Sequence, residues 1–184
     1  MLALISSTTT GCGETTKEIN WREQVQLSTG EVIVVERGEK LNLVSEPGRG
    51  SGWLFDEAWL KARLPGIGET VWRGALSPLV LNVTPKGNWY LLGVTGSIRG
   101  EREYQLAEGK RYVAFELTDR SWLRVPFADF PEEFQPNLLA DTYTPFIELR
   151  KPNGILVQFN LKAELDTDPT LGSALRHIDR SLGQ

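Results

Sequence analysis

The feature that most constrains this chain is a pattern that recurs five times: a short alternating apolar and polar run, a tight turn, and a second alternating run. Alternation with period two puts apolar side chains on one face of an extended strand, and a short turn between two such runs joins them as a hairpin. Val25 and Leu27 lead through Ser28-Thr29-Gly30 into Glu31 to Glu36. Within that run Val32-Ile33-Val34-Val35 is β-branched throughout, which predicts a strand at the centre of a sheet, buried on both faces. Leu41 to Val44 adds a short strand, and the glycine-rich stretch Pro47 to Gly52 reads as a mobile loop.

Residues 53–64 fit two templates. Trp53, Leu54, Phe55, Ala58, Trp59 and Leu60 would line a helix, whereas Leu60, Ala62 and Leu64 alternate with Lys61 and Arg63. The turn Pro65-Gly66-Ile67-Gly68 and the run Glu69 to Arg73 favour a strand over 59–64 and a second hairpin. A third runs from Leu79 through Pro85-Lys86-Gly87 to Val94, and Gly96 to Gly109 reads as a long connection. The fourth joins Arg111 to Leu117 with Ser121 to Phe127 across Thr118-Asp119-Arg120. Its alternation assigns Val113, Phe115, Leu117, Leu123, Val125 and Phe127 to the core, and Tyr112, Trp122 and Arg124 to the opposite face. Pro126, Pro131 and Pro136 keep 130–139 out of any central strand, because proline lacks the donor a ladder needs. The fifth hairpin runs from Pro145 to Leu149, turns at Asn153-Gly154 and returns as Ile155 to Leu161. Asp168-Pro169 starts a predicted helix with Leu171, Ala174, Leu175, Ile178 and Leu182 as its apolar stripe. The fold expected is mainly β, an antiparallel β-sandwich or open barrel built from hairpins, with a C-terminal α-helix.

A chain of 184 residues is the size of one domain and buries roughly 70% of the surface its unfolded form exposes. Its net charge of -4, with basic residues scattered, argues against nucleic acid as a partner. No run of about 20 apolar residues exists, so any membrane link in this chain runs through its N-terminus.

At that end Met1 to Ile5 is apolar, Ser6 to Thr10 is small and polar, and Gly11-Cys12 follows. The order resembles a partial secretory signal ending in a bacterial lipobox, and the run Tyr112 to Leu117 with Trp122 to Pro131 resembles uncharacterised proteobacterial lipoproteins. The resemblance implies lipid attachment at Cys12 and a cell-envelope location facing the periplasm; it implies no activity. Residues 1–11 are then a partial signal, 12–20 a flexible tether and 21–184 a single β-rich domain. The other reading is a cytosolic interaction domain with a bystander cysteine.

Chemistry is sparse. His177 is the sole histidine; Ser173 precedes it by four residues on the predicted helix, but Asp179, two residues on, faces elsewhere. One histidine and one cysteine do not make a zinc site. Asp166 and Asp168 lack the remaining ligands of a calcium loop, and Gly48, Gly50 and Gly52 lack both the dinucleotide spacing and a Walker lysine. No catalytic residue, metal or cofactor is assigned. Tyr112, Trp122 and Arg124 form the candidate ligand face, suited to a protein or glycan. The functional expectation is a non-enzymatic binding or structural module. The enzyme alternative is an envelope hydrolase acting on carbohydrate through carboxylates the sequence does not single out.

Overall fold

A computed structural model describes residues 15–46, 50–139, 155–158 and 177–184. The protein is mainly β. One sheet holds β1 (Thr16–Gln26), β2 (Val32–Glu46), β3 (Gly50–Leu64), β4 (Gly68–Gly74) and β9 (Ile155–Val157) in the order β4-β3-β2-β1-β9. The second holds β5 (Ser77–Val83), β6 (Trp89–Val94), β7 (Tyr112–Thr118) and β8 (Ser121–Val125) in sequence order, and neither closes into a barrel. Among the named strands every pairing is antiparallel except β1 with β9, which is parallel.

Four of the five predicted hairpins are present, β1–β2, β3–β4, β5–β6 and β7–β8. In the first three of these, glycines supply the left-handed backbone of the turn, with Gly30 at φ 85°, Gly66 at φ 74° and Gly87 at φ 89°. The outgoing arm and turn of the fifth lie outside the described residues, and its return is seen as β9. β2 is the middle strand of its sheet, as the β-branched run predicts, but it is buried on one face only. Ile33 and Val35 point inward, whereas Val32 and Val34 are about half exposed. Three other boundaries move. The stretch Leu41 to Val44 continues β2, and Gly50 to Gly52, expected in a loop, opens β3, while residues 47–49 lie outside the described residues. The first strand begins at Thr16, within the expected tether, because Thr16 to Asn20 pairs with Gly38 to Asn42.

The two sheets bury their faces differently. On the first sheet inward residues alternate with outward ones: Ile19, Trp21, Glu23 and Val25 of β1, and Ala58, Leu60, Ala62 and Leu64 of β3, are buried while their neighbours are at least partly exposed. Every residue of β5 and β6 is buried, so these two strands of the second sheet are covered on both sides, whereas β8 is largely exposed. Leu81, Val83, Trp89, Leu91, Val113 and Phe115 meet Val35, Leu60, Leu64 and Trp72 of the first sheet. Val80, Tyr90, Leu92, Tyr112 and Ala114 face the other way, onto Phe127, Phe130 and Phe134. This second cover comes from the proline-marked segment, which is irregular as expected but contributes core. Phe130 lies 6.0 Å from Phe127, 5.9 Å from Phe134 and 6.1 Å from Tyr90, centroid to centroid.

The predicted C-terminal helix falls mostly outside the described residues, and where the chain returns to view it is not α-helical. Arg180–Leu182 is a single 3-10 turn capped by Asp179. Its backbone serves other elements: Arg111 N–H donates to the Leu182 carbonyl (2.8 Å), Phe127 N–H donates to that of Gln184 (3.0 Å), and Gly183 bridges to Tyr112. Carbonyls and an extended residue used in this way cannot continue a helical ladder. Ile178 and Leu182 nonetheless pack on the core, as their apolar character requires.

Candidate functional site

The candidate ligand face is not formed. Phe115 pairs with Arg124 and Leu117 with Trp122, and directly opposed residues share a face. Trp122 and Arg124 therefore lie on the Phe115 side, and Tyr112 points the other way, into the core at 2% exposure, stacked on Phe127. The cause is the turn. The connection is the two-residue loop Asp119-Arg120, with φ 50° and 65°, rather than the three-residue loop Thr118 to Arg120, and one residue of register exchanges every side chain between faces. The same slip places Leu123, expected in the core, 51% exposed and opposite Glu116. Arg124 donates to the Tyr104 carbonyl at 2.7 Å, and Trp122 is partly buried with its indole N–H unpartnered.

Three other arrangements bring functional side chains together. The first is buried. Glu23 and Arg37 face inward from neighbouring strands at 0% and 1% exposure, and an Arg37 guanidinium nitrogen donates to the Glu23 carboxylate at 2.9 Å. Arg37 also donates to the carbonyls of Leu139 (2.7 Å) and Pro78 (3.0 Å), while Glu23 accepts from the Trp21 indole and the Leu139 N–H (both 2.9 Å). The guanidinium carbon stands 4.9 Å from the Trp21 ring. These bonds span β1, β2, the start of β5 and the segment at 139, so the pair works as a clasp between layers.

The second arrangement is at the surface. A β-bulge between Lys40 and Leu41 leaves Asp56 as the extra residue of β3, since Lys40 pairs with Glu57 and Leu41 with Phe55. Asp56 takes Arg99 of α1 (Ile98–Glu103) and Lys40; Glu57 takes Arg73 and Arg99; Glu103 also meets Arg99. Partial burial works to raise the Asp56 pKa, but the hydrogen bond and charge of Arg99, then Lys40, outweigh it and hold the group below its ordinary 3.8. A carboxylate with a depressed folded pKa stabilises above its unfolded pKa and loses that contribution as pH falls through the folded value. Asp56→Asn is expected to cost under about 1 kcal/mol at neutral pH, because the cluster is at the surface. The cost should shrink when urea midpoints are compared at pH values falling below 3.8 and through the lowered folded value, where the wild-type carboxylate is itself being protonated.

The third is the free end of the β2–β3 hairpin. Leu43, Val44, Trp53 and Leu54 are 38%, 37%, 41% and 58% exposed, and Lys17 Nζ stands 5.7 Å from the Trp53 ring. The sequence placed Trp53 and Leu54 among helix candidates, and it held no signal that β2 and β3 outrun their neighbours.

Of the remaining candidates, His177 is exposed, and Asp179 accepts from the Ser181 hydroxyl and N–H, which hold its carboxyl below the usual range. Ser173, Asp166, Asp168, Gly48 and Cys12 lie outside the described residues. Among the described residues no group of three His, Cys, Asp or Glu side chains is placed to hold a metal. No protein-family model matches the chain, and no curated protein or solved structure does.

Proposed function

We propose that this chain is a non-enzymatic bacterial cell-envelope protein, a two-sheet sandwich tied to a membrane through lipid on Cys12 and acting as a binding or structural module. The observation that carries the reading is the order at the N-terminus: apolar Met1 to Ile5, Thr10-Gly11-Cys12, then polar residues up to a strand that begins at Thr16. Only a thiol can form the thioether such a signal leads to, which gives the single cysteine of the chain a chemical reason to stand there. The arginine contacts of Glu23, Asp56, Glu57 and Glu103 support a scaffold over acid–base chemistry. These charges neutralise one another within the protein.

Expression from the native reading frame in a bacterium, followed by mass spectrometry of the membrane fraction, tests the proposal. Lipid mass on Cys12, with the preceding residues removed, is the expected result, and Cys12→Ser should move the protein out of the membrane fraction. An unlipidated product that retains Met1 overturns the reading.

A further inference from the structure

We infer that the free end of the β2–β3 hairpin is a lipid-surface contact, pressed against the bilayer that holds the anchor on Cys12. The inference rests on the lipid-anchor reading above, and its geometry comes from strand lengths. β2 and β3 remain paired out to Glu46 and Gly50, but β4 flanks β3 only over Ala58 to Leu64, and β1 flanks β2 only as far as Asn42. Beyond those limits the two strands form a ribbon with no neighbour among the described strands. Leu43 pairs with Trp53 on one side, and Leu54, opposite Asn42, shares the other side with Val44.

A two-stranded ribbon in water gains nothing from large apolar groups on both faces, whereas at a bilayer boundary both faces can enter the acyl region together. Tryptophan suits that boundary, with an apolar body and a polar N–H. Lys17 Nζ stands 5.7 Å from the Trp53 ring and helps hold its orientation.

The path of the chain selects a membrane over other occupants. The Leu43 N–H donates to the Thr15 carbonyl at 2.9 Å, so the chain enters the sheet beside the first exposed residue of the tip. From Cys12 to Thr15 is three residue steps, a reach of at most about 11 Å. A lipid on Cys12 therefore enters the bilayer at the end of the molecule that carries Leu43, Val44, Trp53 and Leu54. The anchor holds the domain, and the tip fixes its orientation.

The test uses the full chain with its single cysteine, Cys12, coupled chemically to a maleimide lipid in vesicles of phosphatidylethanolamine and phosphatidylglycerol. Tryptophan fluorescence is compared in vesicles with and without brominated acyl chains. Bromine-dependent quenching is expected, and Trp53→Phe should remove most of it, since Trp53 is the most exposed tryptophan among the described residues. Leu54→Asp should weaken quenching while leaving the urea midpoint in place. Quenching that is absent, or that survives Trp53→Phe unchanged, overturns the inference, as does self-association that Leu54→Asp abolishes, which would assign the tip to a second copy. Chemical coupling sets the anchor whatever the cell does to Cys12. Failure here and failure of lipidation are therefore separate results.

Discussion

Arg37→Met is expected to lower the free energy of unfolding by about 3–5 kcal/mol, read as a fall in the urea midpoint at unchanged slope. The magnitude comes from what the substitution strands. Glu23 stays fully buried without its guanidinium partner, and the carbonyls of Leu139 and Pro78 lose their donor. Adding Glu23→Gln should restore part of the loss, because a neutral amide still accepts a hydrogen bond from Trp21 or Leu139 without an orphaned charge. The double variant is therefore expected to be more stable than Arg37→Met alone, and the coupling measures the ion pair. A loss under about 1 kcal/mol for Arg37→Met would mean that water reaches the pair, against the burial described above.

Phe130→Ala is expected to cost about 3–5 kcal/mol. The ring is 1% exposed and sits among Phe127, Phe134 and Tyr90, with the Arg180 guanidinium 5.9 Å away. Removing it opens a cavity under the segment that covers the second sheet, so near-ultraviolet circular dichroism should change along with the midpoint. Phe134→Ala should be less than additive with it, because both rings pack on Tyr90. A cost near that of an exposed residue would show that this segment does not seal the sheet.

The hairpins were legible because each combines alternation with turn chemistry that only a few residues satisfy, as at Ser28-Thr29-Gly30 and Pro85-Lys86-Gly87. The register at Asp119-Arg120 was not. A tight turn with positive φ at both positions is normally announced by Asn-Gly, and arginine in the second place carries no such signal. The clasp was hidden for a different reason: alternation sorts residues by polarity, so Glu23 and Arg37 read as solvent-facing although both point inward. Phe130 and Phe134 were correctly kept out of strands by their prolines, but irregular backbone has no period from which to infer burial. Nor could the sequence foretell that Thr16 to Asn20 would be strand. With one apolar residue in five, its pairing is decided by the inward face of its neighbour, β2.

The clasp also orders events in time. Arg37 and Leu139 are 102 residues apart, so on a growing chain Glu23 and Arg37 are made roughly 5–20 s before the Leu139 backbone groups that both of them bond. In the folded protein the two charges stand on the inner face of β1 and β2 among residues as apolar as Trp21, Val25 and Val35. The clasp that locks the layers together is complete only when the chain has grown as far as Leu139.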